Sequence, residues 1–509
     1  MLLLVTYLFI HFLLRLSFGP VLALDDAEQA LFAQQWSWSY RFEQPPLFTW
    51  LLVLSFDLMG VDPIALAVWR YFWLAVIFLG SYCLLLSWCR TKDNEQEDRF
   101  YAALGTLSLL LIYVLAYFSH HDLTHTTIMT AFIVLALLQF TRLIENPGWF
   151  NYFLLGCVFA GGLLGKWNYV IFCLALTLTC LLLPRYRPLF WTPKTLLALM
   201  ATVLLVLPTL LFVANLERPY VEIAQAALAN DNVMSVSELV GKGSLKLFSS
   251  LLVYLLPFLL FILIFLRRPL GAGLGQLKFK QVNADTDLWR GPVSPQFLVV
   301  FTVAGILLLW LLIPVLGALR FTERWMQPVL FPLPFLLMML IRAGRPAQKS
   351  INRYVVAIAV FSLLVVVVRI GMHQFSANYC GSCRALIPFP ELSAQLRESG
   401  FQNGTIMTDR FHIGGNMRVN FPGSRVINPQ YPMPVWSAEG SRSQCLLVWE
   451  TKRGAQPPSR FQSFLADELN AEWRLPDQHG SASALLHGST QREFSLSWWL
   501  YQQPLGDCH

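Results

Sequence analysis

An α-helical polytopic membrane protein with a small α/β domain at its C-terminal end is the fold class that three observations predict. Of the 509 residues, 56% are hydrophobic and only 13% charged, whereas a soluble domain carries about 25% charged residues. Apolar stretches of membrane-crossing length recur from the first residues to about 371. From 372 to 509 the character changes: charge rises, and short strand-like runs alternate with helical ones.

The apolar stretches lie near 2–21, 64–89, 100–118, 124–142, 150–165, 167–183, 195–214, 246–266, 296–317, 325–341 and 353–371. That is about eleven spans, each able to cross a hydrocarbon core of roughly 30 Å. None alternates polar and apolar residues as the strands of a membrane barrel do. The first stretch lacks a basic residue ahead of its apolar run and a small-x-small site before Asp25. It therefore reads as a retained span and not as a cleaved leader.

Sidedness follows from the basic loops. Arg90, Lys92 and Arg99 share one loop, and Arg185, Arg187 and Lys194 another. Arg267, Arg268, Lys278, Lys280 and Arg290 form a third; Arg342, Arg345, Lys349 and Arg353 form a fourth. With eleven spans all of these fall on one side, which the positive-inside rule makes cytoplasmic. This accounts for the net charge of +7 without nucleic acid as a partner. It also predicts an inner (plasma) membrane protein whose first loop and C-terminal domain face the periplasm.

The outward loops are unequal. The first, about 21–61, carries two amphipathic pieces, Ala27 to Trp36 and Pro46 to Met59, expected as interfacial helices with Trp36, Trp38, Tyr40 and Trp50 in the aromatic belt. Ser119-His120-His121-Asp122 is short, Asn215 to Leu245 is longer and expected to be mobile, and Leu319 to Gln327 is the last. The organisation is thus a transmembrane domain, 1–371, with that first loop, and an extracytoplasmic domain, 372–509. In the latter, Gly404 to Thr408 and Cys445 to Trp449 read as strands and Gln462 to Glu472 as a helix. Cys380, Cys383, Cys445 and Cys508 lie there, an even number on an oxidising side, which favours disulfides over a metal or redox pair at Cys380-Gly381-Ser382-Cys383. Gly414-Gly415 lacks the spacing of a nucleotide-binding loop, and no ATP signature occurs. Any chemistry must draw its energy from an activated substrate.

Chemistry points to Leu24-Asp25-Asp26-Ala27-Glu28, directly after the first span. Carboxylates at a membrane boundary are costly to desolvate and tend to be kept for function. Asp25 and Asp26 read as a general base or metal ligands, or equally as caps of the helix that follows. His121 and His125 are four residues apart, so they are expected on one helical face. With Asp122 and Glu43 they are candidate ligands for a divalent cation, while the competing reading has Asp122 and Thr124 capping the next span. Lys166 lies within a strongly apolar stretch and needs an anionic partner. Arg70, Arg320 and Arg324 are further candidates for a phosphate, or for snorkelling to headgroups. Arg15 is an unusual charge within the first span.

These motifs carry a resemblance. Leu24-Asp25-Asp26-Ala27-Glu28, then Trp38-Ser39-Tyr40, then Gln44-Pro45-Pro46-Leu47 resembles the first outer loop of the polyprenyl-phosphate-sugar-dependent glycosyltransferases of GT-C fold, the group of the protein mannosyltransferase-like proteins and the aminoarabinose transferases. Arg70, Gly162-Leu163-Leu164-Gly165-Lys166-Trp167, and Arg324-Trp325 followed by Pro328 extend it over most of the chain. The resemblance implies transfer of a sugar from a polyprenyl-phosphate donor to a hydroxyl of a cell-envelope acceptor (lipid A, another glycan, a lipid or a protein) among membrane lipids. Asp25 matches the loop aspartate, thought to activate or position the acceptor, with Asp26 in place of the usual glutamate. Substrate-binding roles fall to Glu43, Arg70, Asp122, His125, Lys166, Arg320 and Arg324. Two departures stand out. Gln44 occupies the place of a lysine in the aminoarabinose transferases, and Asp122 and His125 replace a Thr-Pro-Asp group. A transporter or flippase of a lipid-linked substrate, and a non-catalytic acceptor-binding assembly, are the competing classes; inverted repeats would favour the former, and none is evident.

Overall fold

The computed structural model describes residues 1–40, 44–90, 94–214, 235–277, 291–430, 444–503 and 505–508. Glu43, Lys92, most of the 215–245 loop, Lys278, Lys280 and Arg290 lie outside the described residues. The helical part runs through α1 (Leu2–Ser17), α2 (Leu24–Phe32), α3 (Leu47–Met59), α4 (Pro63–Trp88), α5 (Glu95–Ser108) and the single turn α6 (Ser119–His121). It continues with α7 (Thr124–Glu145), α8 (Trp149–Gly165), α9 (Tyr169–Leu182), α10 (Pro193–Ala214), α11 (Val236–Phe265) and α12 (Arg267–Leu274). The last of this part are α13 (Pro295–Leu316), α14 (Gln327–Leu330), α15 (Leu333–Ala343) and α16 (Gln348–Phe375).

The chain is a multi-pass membrane protein, and part of the eleven expected spans is carried by helices long enough to cross on their own. Among the described residues six helices are long and apolar enough to cross: α4, α7, α10, α11, α13 and α16. Two bent pairs, Glu95–Leu111 with Val114–His121 at 79° and Glu323–Leu330 with Leu333–Ala343 at 52°, raise the number to eight. Sequence hydropathy merges each pair into one run because a bend leaves composition unchanged. Pro332 and Pro334 cause the second bend: their rings and missing N–H groups open α15 afresh and do not continue α14. Near 150–183 an extended Lys166 ends α8, leaving 17 residues, about 25 Å of helix at ~1.5 Å per residue.

Two compact units divide the chain. The first comprises Met1–Phe9, Phe42–Leu47 and Arg70–Val365. Within it α8 packs on α7 and α10, and α13 packs on α9 and α11. At the ends of α5 and α15, Asp98 pairs with Arg342, both nearly excluded from solvent.

The second unit comprises Ile10–Arg41, Phe48–Trp69 and Val366–His509. Its sheet contains β1 (Gly404–Thr408), β2 (Arg425–Ile427), β3 (Gln444–Glu450), β4 (Gln478–Leu485) and β5 (Glu493–Tyr501), in the order β2-β1-β3-β5-β4. β1 is parallel to β2 and β3; β5 runs antiparallel to β3 and β4. The two-residue side-chain period sends Ile406, Leu446 and Val448 to one face and Met407, Leu447 and Trp449 to the other. Helices α17 (Phe389–Glu398) and α18 (Phe411–Asn420) cover the first face, and α19 (Ser459–Glu468) the second. Leu31 and Phe32 of α2, with Val21 and Tyr40, complete the first of these cores, where sequence alone suggested an interfacial helix. Disulfides join Cys380 to Cys383 and Cys445 to Cys508, as the even cysteine count led one to expect.

Candidate active site

In the second unit, α2 carries Asp25 and Asp26 in its first turn, where the helix dipole favours anions. Neither is the N-cap: that position is Ala23, extended and without a side-chain cap bond. Asp26 and Glu28 are 1% and 2% exposed, whereas Asp25 is half-buried and reachable. The pair thus divides into a buried carboxylate and an accessible one.

A clamp from α18 fixes the entry to α2. The Leu22 N–H donates to Asn416 Oδ1 at 2.9 Å, and Asn416 Nδ2 donates back to the Leu22 carbonyl at 3.3 Å. His412 Nε2 reaches the same carbonyl at 3.1 Å. Burial holds the His412 imidazole neutral, its pKa pushed down to about 4 against the opposing pull of that hydrogen bond. The two helices touch at Gly415, where a Cβ would stand 1.9 Å from the Ala27 carbonyl oxygen. Only glycine permits this approach. At the far end, Gln34 Oε1 accepts from Val426 N at 2.9 Å and its Nε2 donates to Val426 O at 2.8 Å, so the side chain completes the edge of β2. Sequence reasoning missed His412, Gly415, Asn416 and Gln34. The glycine pair Gly414-Gly415 is the local signal for this close approach.

The first unit holds the predicted cations. Lys166 Nζ donates to Thr126 Oγ1 at 2.7 Å, and His125 Nδ1 binds the Gly165 carbonyl at 3.0 Å. That carbonyl lies in the last turn of α8, where carbonyls lack helical partners, so His125 ties the start of α7 to the end of α8. Nearby in sequence, buried His120 meets the Tyr71 hydroxyl at 3.2 Å and the Tyr7 ring edge-on at 5.3 Å. Arg70, beside Tyr71, is 2% exposed and so packed within protein. Arg320 is exposed and Arg324 half-buried after α13.

The expected shared helical face of His121 and His125 is corrected. The helix breaks at extended Asp122 and left-handed Leu123 (φ 72°), so His121 ends one helix while α7 starts at Thr124. Exposed His121 stacks on Tyr117, whereas His125 is buried. The N-cap position of α7 is Leu123, between Asp122 and Thr124. Among the described residues no three His, Cys, Asp or Glu side chains converge as metal ligands. Glu43 lies outside the described residues. Arg15 donates to the Gly19 carbonyl at 3.0 Å.

The chain is similar in sequence and fold to membrane glycosyltransferases of the GT-C type, in line with the resemblance drawn from the loop motifs. The family model described as dolichyl-phosphate-mannose-protein mannosyltransferase matches residues 43–212. The lipopolysaccharide core galacturonosyltransferase RgtA of Rhizobium johnstonii is 28% identical over 484 residues, covering 91% of this chain and 90% of its own. RgtB of the same organism, also a lipopolysaccharide core galacturonosyltransferase, is 28% identical over 481 residues, with the same coverage. The crystal structure of ArnT from Cupriavidus metallidurans bound to undecaprenyl phosphate superposes with a TM-score of 0.56 over 97% of each chain, at 13% identity, which speaks to the fold.

Proposed function

We propose that this protein moves a sugar from a polyprenyl-phosphate donor to a hydroxyl of a lipopolysaccharide-type acceptor at the periplasmic face of the inner membrane. Residues 1–371 are assigned the transmembrane glycosyltransferase domain, with the outer loop 21–61, and 372–509 the extracytoplasmic domain. The names of RgtA and RgtB support a hexuronate of the galacturonate type as the sugar, and the undecaprenyl phosphate of ArnT supports the lipid carrier. Gln44, in place of the lysine of aminoarabinose transferases, argues against aminoarabinose.

The observation that carries this reading is the accessible carboxylate of Asp25 on a helix whose entry is clamped by His412 and Asn416. The acceptor oxygen attacks the anomeric carbon and its proton passes to Asp25. The bond from that carbon to the phosphate oxygen breaks, and polyprenyl phosphate leaves with the electron pair. The anomeric configuration inverts. Asp26 is assigned a supporting role beside Asp25. Within the first unit, Lys166, Arg70, Arg320 and Arg324 are assigned to the donor phosphate, because cations stabilise the charge that develops on the leaving group. His125 and Asp122 are assigned to the sugar.

Purified protein incubated with polyprenyl-phosphate galacturonate and acceptor should release free polyprenyl phosphate. Asp25→Asn should lower turnover by about 100-fold or more, the contribution of a general base, with donor binding intact. Full turnover in that variant rules Asp25 out. A parallel reaction with chelator tests a divalent cation.

A further inference from the structure

The second unit contains a cavity of about 640 Å³ whose wall includes Leu24, the residue next to Asp25. Its size lies within the roughly 300–1,000 Å³ of small-molecule sites. Five cationic side chains line it, Arg384, Arg410, Lys452, Arg453 and Arg492, against the two carboxylates of Glu450 and Glu493. Each wall comes from a different element. The disulfide-closed turn 380–383 leads into Arg384; the turn after β3 presents Lys452 and Arg453; the start of β5 presents Arg492 to Phe494; and the first residues of α18 form the floor.

The cations differ in how far they are neutralised. Arg410 lies 3.4 Å from Glu450, and Arg453 lies 3.1 Å from buried Asp409. Arg492 donates to the carbonyls of Ala377 at 2.7 Å and Cys380 at 2.9 Å, which fixes its position and leaves its charge intact. Arg384 and Lys452 are exposed and, among the described residues, in no salt bridge. The positive field reaches the floor, where Arg384 and Arg410 both add to the lowering of the His412 pKa. Phe411 and Phe494 add half-buried rings, apolar faces suited to the C–H face of a pyranose.

We propose that this cavity binds an anionic saccharide, one bearing carboxylate or phosphate groups, and that it is the acceptor's recognition site, holding the sugar beside Leu24 so that a hydroxyl is presented to Asp25. The acceptor role rests on the transferase reading above; the binding site does not. Arg384, Lys452 and Arg492 take the anionic groups, and Phe411 and Phe494 take the ring.

The test uses the full-length protein in nanodiscs of zwitterionic lipid, with ligand-detected NMR titrations of glucose 6-phosphate, galacturonic acid, glucose and inorganic phosphate. The two anionic sugars should bind, and Arg384→Gln with Lys452→Gln should weaken them by about tenfold or more, the loss expected for charge-assisted hydrogen bonds. The preferred anion identifies phosphate or carboxylate as the recognised group. Glucose binding as well as the anions, inorganic phosphate binding as well as glucose 6-phosphate, or an unaffected double variant overturns the site. In turnover assays the double variant should raise the acceptor KM about tenfold at unchanged donor KM; a rise in donor KM alone overturns the acceptor role. Absent turnover in the unmodified protein would sink the transferase reading, and full turnover in Asp25→Asn the role of Asp25; either result leaves the binding titrations standing.

Discussion

The two polar regions hold their functional groups in opposite ways. In the second unit, Asp25 and Asp26 sit on a nine-residue helix that could not persist alone, since short isolated helices are marginal in water. Residues almost 400 positions away hold it: Asn416 bonds Leu22, and Gly415 lets the backbones meet. In the first unit, Lys166 and His125 are bound by partners 40 positions away, across the α7–α8 pair. One region is positioned by tertiary packing of a separate sheet domain, the other by neighbouring spans. The first should therefore fail by misplacement and the second by loss of charge.

Gly415→Val should break the comparison most strongly. A side chain there collides with the Ala27 carbonyl, and overpacking of this kind costs about 1–3 kcal/mol, more when backbone must shift. Hydrogen exchange of the α2 amides in the full-length protein should accelerate, and turnover should fall with it. Gly423→Ala, where a methyl meets nothing within 4 Å, should change neither. Protected α2 amides in the valine variant would show that α18 does not hold the helix.

Lys166→Met should produce a smaller and different defect. It removes the charge and the bond to Thr126 while keeping the apolar stem. Donor KM should rise about tenfold, in line with the ~1.5–3 kcal/mol of a hydrogen bond to a charged group. The exchange pattern of α2 should not change. A variant with unaltered donor KM would remove Lys166 from the phosphate site.

These contrasts explain what was legible in the sequence. Spans, acid pair, disulfide-bearing domain and two of its strands could be read because composition and local period encode them. The bends at Ile112 and before Leu333 were not legible, since a kinked run and a straight one have the same hydropathy. Helix periodicity carried His121 and His125 across a break that depends on Leu123 adopting φ 72°, a conformation its side chain gives no hint of. The clamp on α2 escaped for another reason. Its parts, Leu22, His412, Gly415 and Asn416, are ordinary residues that acquire meaning only when the chain's two ends meet within one unit.

The smallest effect expected is on pH dependence, and it isolates His412. Burial lowers its folded pKa from 6.5 to about 4. A depressed folded pKa means that the unfolded chain takes up the proton first as pH falls. The stability held by neutral His412 is therefore complete above 6.5 and is lost progressively down to about 4. The slope cannot exceed about 1.4 kcal/mol per pH unit, and between about pH 7.5 and about pH 6 the loss is only ~0.8 kcal/mol. Hydrogen exchange of the β1 and β3 amides reads it directly, because those strands lie in the same unit. His412→Gln keeps a donor for the Leu22 carbonyl and removes the titration, so its exchange should lose this component of the pH slope. An identical slope in the two proteins would mean that the imidazole titrates freely and that α18 holds α2 less tightly than its buried hydrogen bonds indicate.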